Sequence, residues 1–234
     1  MMLDERGSEV TSGSAIRTFL IADVRGYTVF TAERGDEAAA ELAARFAQVA
    51  RASVEARGGE VIELRGDEAL AVFESARQAI RAAVDLQRRF VDQTVEGPAL
   101  PLPVGIGLDA GEAVPVDDGF RGGALNLAAR LCSLAGPAEI LSSREVVHLA
   151  RKVDGIAYVD RGSVRLKGLA DPVNVIRVRP EADDPADDVA FRRALDPRRS
   201  GKPHARTERS FRTPTRGSGR SRRRTRSTSS VVRT

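Results

Sequence analysis

The sequence is poor in the residues that build disulfides and soft-metal sites. Its 234 residues include one cysteine, Cys132, two histidines and no tryptophan. A single cysteine excludes an internal disulfide. With only His148 and His204 beside it, the chain lacks the ligands of an ordinary zinc site. Any metal bound here would therefore be a hard cation held by oxygen atoms.

Long apolar runs are also absent, although 41% of the residues are hydrophobic. No stretch of 18 apolar residues occurs, so the sequence predicts no transmembrane segment. The first residues are polar and acidic and do not resemble a secretion signal. We therefore expect a cytoplasmic protein with enough apolar residues for one core of ordinary size.

The net charge of +4 hides two regions of opposite sign. Residues 189–234 hold 15 Lys and Arg against two acids, Asp196 and Glu208, whereas residues 1–188 hold 22 basic and 31 acidic residues. The acidic body gives no support for a nucleic-acid-binding fold. The basic end could make a weak contact with a polyanion, or be a solvated extension without a function.

Apolar periodicity and turn residues predict a regular order of elements. Helices are predicted at Asp36–Ala56, Ser75–Gln93, Ala124–Leu134 and Arg144–Arg151. Strands are predicted at Ala15–Ala22, in a hairpin over Glu60–Phe73, and at Val104–Leu108, Glu139–Leu141, Ala157–Asp160, Val164–Leu166 and Val173–Val178, with a turn region at Val116–Gly123.

This order predicts an α+β fold, a ferredoxin-like sandwich in which helices cover a mainly antiparallel sheet. Residues 15–180 would form this domain, preceded by a flexible leader over residues 1–14. Periodicity ends after Pro180, and the following residues are rich in Arg and Ser with few aliphatics. We therefore predict that residues 181–234 are a disordered basic tail.

Two aspartates stand at places where strands end. Asp23 closes the apolar run Phe19–Ala22, and Asp67 lies at the tight tip of the predicted hairpin. Asp23 taken alone is either an ordinary strand-end residue or a metal ligand. Neighbouring strands can bring both carboxylates together, and such a pair is costly unless a divalent cation lies between them.

The residues after Asp23 provide a second feature of a phosphate site. Arg25, Gly26, Tyr27 and Thr28 lead into the start of a helix, where backbone amides can bind phosphate oxygens. A metal site beside a phosphate cradle indicates a nucleoside triphosphate.

A third feature is the pair Asn126 and Arg130, which share one face of the predicted helix Ala124–Leu134. Arg130 is either a solvated surface residue or a cation that stabilises charge on phosphorus, with Asn126 orienting a sugar. The Ala and Leu residues around the pair predict a partly covered face. Lys167 before Gly168 is a weaker signal of the same kind.

Five ordered segments together resemble the class III adenylyl/guanylyl cyclase catalytic domain. They are Phe19–Thr28, Arg65–Phe73, Gly105–Glu112, Ala124–Leu131 and Leu166–Gly168. The resemblance implies a homodimer that converts a nucleoside triphosphate to a 3′,5′-cyclic nucleotide and pyrophosphate at two sites between its subunits.

The resemblance also implies a role for each site residue. Asp23, Asp67 and the Val24 carbonyl of one subunit would hold two Mg²⁺ or Mn²⁺ ions. Asn126 and Arg130 of the other subunit would orient the ribose and stabilise the transition state. Lys167 would bind the terminal phosphates.

The sequence departs from the family pattern where the base is read. Adenylyl cyclases usually have lysine four residues before the second metal aspartate, and this chain has Glu63. Guanylyl cyclases tend to use glutamate there, because a carboxylate accepts hydrogen bonds from guanine N1 and N2. The usual Asp or Thr seven residues before the Asn is Gly119, with Asp118 beside it.

The resemblance therefore leaves ATP and GTP both as candidate substrates. Many family members also have glycine directly after the second metal aspartate, where this chain has Glu68. Because of these departures, the alternative to an active cyclase is a weak or inactive cyclase-like module that binds nucleotide or a partner for regulation.

Overall fold

The structure is a computed structural model that describes residues 14–96, 103–116 and 119–181, with the side chains of 94–96 excepted. All of these residues belong to one compact unit within Met1–Ser200. Residues 1–13 of the predicted leader, residues 182–234 of the predicted tail and Asp118 lie outside the described residues.

The described residues form five helices and eight strands. The helices are α1 (Tyr27–Arg34), α2 (Asp36–Glu55), α3 (Ala76–Glu96), α4 (Gly123–Leu134) and α5 (Arg144–Ala150). The strands are β1 (Ala15–Val24), β2 (Glu60–Arg65), β3 (Glu68–Phe73), β4 (Val104–Val116), β5 (Gly119–Arg121), β6 (Glu139–Ser143), β7 (Ile156–Val164) and β8 (Val173–Pro180).

The strands form one sheet in the order β2-β3-β1-β4-β6-β8-β7, and β5 pairs with the far end of β4. Every pairing is antiparallel except β4 with β6. The central strand β1 is buried from Thr18 to Ala22, where helices cover both of its faces. The α+β prediction with a mainly antiparallel sheet and covering helices is confirmed.

Helices cover both faces of the sheet. Helices α2, α3 and α5 pack on one face, where the stacked rings of Phe46 and Phe90, 5.4 Å apart, lie in the larger core. Helix α4 packs alone on the other face through Ala124, Ala128 and Cys132. This second face is the one that matters for the candidate site, since Asp23 follows Phe19 and Ile21 at the two-residue spacing that places side chains on the α4 face.

Four elements differ clearly from the sequence prediction, and the first is β4, which continues from the predicted Val104–Leu108 to Val116. A separate helix, α1, precedes α2, because Gly35 adopts φ 84° and ψ 170° and interrupts the helical path. The predicted strands at 157–160 and 164–166 are one strand, β7, with an irregularity between Asp160 and Ser163. The predicted turn at 116–123 contains β5, which folds back on β4.

Helix α4 lies directly against β4 because two glycines leave room for it. At Gly107 a Cβ atom would overlap the α4 backbone, with the Cys132 Cα at 2.8 Å. At Gly105 a Cβ would lie 2.7 Å from the guanidinium carbon of Arg25. Glycines two apart in a strand therefore mark one face where other groups approach the sheet closely.

We expect Gly107→Ala to destabilise the domain by about 2 kcal/mol or more, since the new methyl group forces α4 away from β4. Gly123→Ala is the matched control, because a Cβ there meets nothing within 4 Å. Chemical denaturation measures both. Equal stability of the two variants would contradict the close approach of α4.

Asp109 is a buried carboxyl on β4, only 5% exposed. It accepts a hydrogen bond from the Ser143 hydroxyl, which in turn accepts from the Val146 amide at the start of α5. Burial raises the pKa of Asp109 to about 6, and the Ser143 hydrogen bond offsets only part of this effect. Asp109 pairs with Phe19 in the middle of β1, four residues from Asp23.

The burial of Asp109 predicts that the free energy of unfolding depends on pH. A folded-state pKa of about 6 against 3.8 means that the contribution of Asp109 to stability is present at low pH and lost as pH rises through about 6. Asp109→Asn removes the buried charge and keeps an acceptor for Ser143. We expect it to raise the free energy of unfolding by about 1–3 kcal/mol at pH 7.5 and by much less at pH 4.5. A gain independent of pH would contradict this origin.

Candidate active site

The tip of the β2-β3 hairpin lies beside the end of β1. Gly66 and Asp67 form a two-residue turn, with Gly66 at φ 59°. The Val24 amide donates a hydrogen bond of 3.0 Å to the Asp67 carbonyl. The two aspartates of the sequence prediction are thus brought to the same edge of the sheet.

Three carboxylates converge at this edge. Asp23 pairs with Glu68 across the β1-β3 ladder, and both side chains lie on the α4 face of the sheet. Burial raises the pKa of Asp23, Arg25 lowers it, and the charges of Asp67 and Glu68 raise it further. The chain therefore concentrates negative charge around a half-buried acid, which is an arrangement that binds cations.

Arg25 lies among these groups and contacts Asp23 and the end of α4. Its guanidinium forms an ion pair with Asp23 and donates to the Cys132 carbonyl near the end of α4. The backbone amide of Arg25 donates 2.6 Å to the Pro103 carbonyl. The two terminal guanidinium nitrogens and the backbone amide of Arg25 thus have partners within the chain, whereas its buried Nε has none among the described residues. The phosphate-binding role of Arg25 remains a prediction.

The rest of the predicted phosphate cradle lies at the start of α1. Gly26 precedes the helix with φ 81°. The Phe30 amide donates a hydrogen bond of 2.9 Å to the Gly26 carbonyl, and this is the first hydrogen bond of the helix. The amides of Tyr27 and Thr28 have no partner inside the helix for this reason. The Tyr27 hydroxyl points elsewhere and donates 3.1 Å to the Ala39 carbonyl in α2.

Asn126 and Arg130 lie on the exposed side of α4. At 100° per residue they are about 40° apart, whereas Arg130 and Cys132 are about 200° apart. Cys132 faces the sheet and Arg25, so Asn126 and Arg130 face away from Asp23. The prediction that other groups partly cover this face is wrong within a single chain.

Lys167 joins the α4 half of the site. Leu166 packs against the buried cluster formed by Leu131, Ala135, Leu141 and Val175, which includes the end of α4. The next glycine, Gly168, has φ 83°, and a Cβ there would lie 4.0 Å from Arg130 Nη2. Lys167 is exposed beside Arg130. The loop that carries Lys167 therefore lies near Arg130 on the solvent side of α4.

The predicted base-reading residues are only partly described. A bulge at Ile62 turns Glu63 onto the α4 face of β2, where Glu63 forms an ion pair with Arg65. A Cβ at Gly119 would lie 3.1 Å from Ile62 Cγ2, so β5 reaches the neighbourhood of Glu63. Asp118 lies outside the described residues.

Solved structures of nucleotide cyclases share this architecture. The adenylyl cyclase CyaB from P. aeruginosa matches with a TM-score of 0.63 at 24% identity, covering 74% of this chain and 97% of that one. The guanylate cyclase domain of RhGC from Catenaria anguillulae, solved with GTP, matches with a TM-score of 0.60 at 16% identity, covering 70% and 96%. The chain has the fold of the class III nucleotide cyclase catalytic domain.

Curated relatives extend the likeness of this cyclase fold to sequence. An uncharacterized protein of Mycobacterium tuberculosis is 30% identical over 166 residues, 70% of this chain and 41% of the relative. A Rhizobium meliloti protein whose name proposes adenylate cyclase activity is 30% identical over 68% of this chain and 27% of the relative. The chain thus spans about two fifths of the first relative's length and less of the second. No family model matches the chain.

Among the described residues, no helix combines the length and the apolar character that a membrane span requires.

Within residues 14–96, 103–116 and 119–181, no three side chains of the Asp, Glu, His and Cys types are placed as a ready metal cage. Two carboxylates and a backbone carbonyl can still hold a divalent cation when substrate and water oxygens complete its coordination. The repulsion among Asp23, Asp67 and Glu68 fits a divalent cation at this edge. The oxygen-only donor set fits Mg²⁺ or Mn²⁺.

Sequence reasoning missed the contacts of Arg25 and the position of Glu68. The Arg25 guanidinium donates a hydrogen bond to the carbonyl of Cys132, which lies 107 positions away. A local sequence pattern cannot predict a contact over this distance. The position of Glu68 in the hairpin could have been predicted from the sequence, because a two-residue turn fixes the register of both strands. The paired glycines 105 and 107 in the cyclase domain were likewise readable as a site of close helix approach.

Proposed function

We propose that this domain is a nucleotide cyclase whose active sites form between two copies of the chain. The observation that carries the proposal is the separation of the two halves of the site. Asp23 and Asp67 lie at the sheet edge, whereas Asn126 and Arg130 project into solvent from the opposite side of α4. A second copy related by twofold symmetry can supply each half with the other.

Asp23, Asp67 and the Val24 carbonyl would hold two Mg²⁺ or Mn²⁺ ions. Bound cations of this kind lower the pKa of the ribose 3′-hydroxyl and neutralise triphosphate oxygens. The amides of Tyr27 and Thr28 at the start of α1 bind phosphate oxygens beside them.

The other copy contributes the groups on α4. Asn126 hydrogen-bonds to the ribose and holds the 3′-oxygen in line with the α-phosphorus. Arg130 stabilises the charge that develops on the α-phosphate oxygens, and Lys167 binds the terminal phosphates. The nearness of Gly168 to Arg130 supports this assignment, since it places the loop of Lys167 in the same half of the site as Arg130.

The reaction balances without any further reactant. The ribose 3′-oxygen attacks the α-phosphorus, and the bond from that phosphorus to the oxygen bridging to the β-phosphorus breaks. Pyrophosphate leaves with the bond electrons, and the proton of the 3′-hydroxyl passes to solvent. The products are a 3′,5′-cyclic nucleotide and pyrophosphate, with ATP and GTP both candidate substrates.

Product identification tests this function. The purified protein is incubated with Mn²⁺ and either ATP or GTP, and cyclic product is measured beside an Asp67→Asn variant. Cyclic nucleotide above that variant is the expected result. Thermal stabilisation by nucleotide without any product would instead identify a binding module, and neither effect would leave only the fold.

A further inference from the structure

Arg25 connects the two halves of the site that lie on one chain. One side of its guanidinium pairs with Asp23, and the other donates to the Cys132 carbonyl in the last turn of α4. Cys132 Sγ lies 3.6 Å from the same nitrogen. The absence of a side chain at Gly105 provides the space in which the guanidinium lies.

The two partners hold Arg25 for different reasons. The carboxylate of Asp23 binds it by charge, with Asp67 and Glu68 adding to the negative potential. The Cys132 carbonyl is one of the last in α4, where the helix dipole attracts cations. The Cys132 thiol does not compete with these two partners as a negative charge, because burial raises its pKa to about 12. Loss of either partner therefore leaves Arg25 attached to the other.

A divalent cation and Arg25 compete for the same carboxylate. Arg25 occupies an oxygen of Asp23 that lies at the edge where Asp67 converges. A metal ion binding between the two aspartates must take over this oxygen, and the positive guanidinium beside it opposes the ion's approach. The half-buried position of both groups weakens solvent screening of this repulsion.

We propose that Arg25 is a built-in counter-ion of Asp23, which a divalent cation displaces while the guanidinium stays bound to the end of α4. Arg25 thereby sets the metal affinity of the site and acts as a positioning residue for α4. It links metal occupancy at one active site to the helix that serves the other. The inference rests on the proposed function for its metal site and for the sharing of each active site between two copies.

Mn²⁺ titration without nucleotide tests the competition. The free ion is followed by electron paramagnetic resonance with the whole chain at low ionic strength. Arg25→Gln removes the charge but keeps a donor for the Cys132 carbonyl, and we expect it to tighten Mn²⁺ binding about threefold to tenfold. Arg25→Lys keeps the charge and is expected to bind as the wild type does.

Arg51→Gln is the matched control, because it removes the same charge from the exposed surface of α2. We expect its Mn²⁺ affinity to stay within about twofold of the wild type. Unchanged or weaker Mn²⁺ binding by Arg25→Gln would overturn the proposal, as would equal gains in Arg25→Gln and Arg51→Gln.

A measurement on the wild-type chain covers the case in which Arg25→Gln does not fold. Nitrogen NMR of labelled arginine side chains is recorded while Mg²⁺ is added, with the Arg25 signal identified by its loss in Arg25→Lys. We expect that signal to shift as the metal site fills, while signals of surface arginines stay in place. A saturated metal site with an unmoved Arg25 signal would refute displacement.

The two proposals can fail separately. Tighter Mn²⁺ binding by Arg25→Gln without cyclic product from the wild type would support the counter-ion and reject the cyclase. Cyclic product with no effect of Arg25 on Mn²⁺ affinity would do the reverse.

Discussion

Asp67→Asn is expected to lower kcat for cyclic nucleotide formation by about a thousandfold or more, because the remaining carboxylate cannot hold the cations alone. The variant should stay folded, since it removes the repulsion between Asp67 and Asp23. Initial rates with saturating Mn²⁺ measure the first effect, and thermal unfolding measures the second.

Asp154→Asn provides the control, because Asp154 is an exposed aspartate outside the candidate site. We expect it to keep wild-type activity. A folded Asp67→Asn variant with more than about a tenth of wild-type kcat would show that the hairpin tip is not the metal site.

Arg130→Ala is expected to reduce kcat by about a hundredfold to a thousandfold with a smaller change in KM. Arg130 meets charge that develops in the transition state, so the substrate binds almost as well without it. Its exposure in the single chain predicts an unchanged unfolding midpoint.

The control for Arg130 is Arg51→Ala, which removes an exposed arginine from α2 on the other side of the sheet. Equal loss of activity in both variants would assign the effect to net charge. A rise in KM with unchanged kcat would place Arg130 in substrate binding alone.

Local sequence patterns predicted the helix α4 and the β2-β3 hairpin, whose ends are set by nearby turn residues. The helix Ala124–Leu134 agrees with α4 to within one residue, since its start follows paired glycines and its end precedes Gly136-Pro137. The hairpin around Asp67 was predictable from its turn, and with it the meeting of hairpin tip and β1.

Contacts between distant segments were not predictable in the same way. The break between α1 and α2 depends on the dihedral angles of Gly35, which a helical pattern on both sides conceals. The capture of Arg25 by Asp23 and Cys132 depends on where α4 crosses β4. Its place beside a helix start predicts a phosphate contact, and the sequence gives no sign of these two further partners.

The site roles taken from the family resemblance remain predictions, and the geometry explains why one chain cannot test them all. Asn126 and Arg130 face away from Asp23 in each copy, so their role depends on a partner. The base preference depends on Glu63 and its ion pair with Arg65, together with a position beside Gly119 outside the described residues.

The most direct test combines two inactive variants in one dimer. Asp67→Asn and Arg130→Ala chains with different affinity tags are produced together, and the mixed dimer is purified through both tags. One of its two sites then has intact residues from both chains, so we predict about half of wild-type activity. A mixed dimer no more active than either variant alone would contradict an active site shared between two copies.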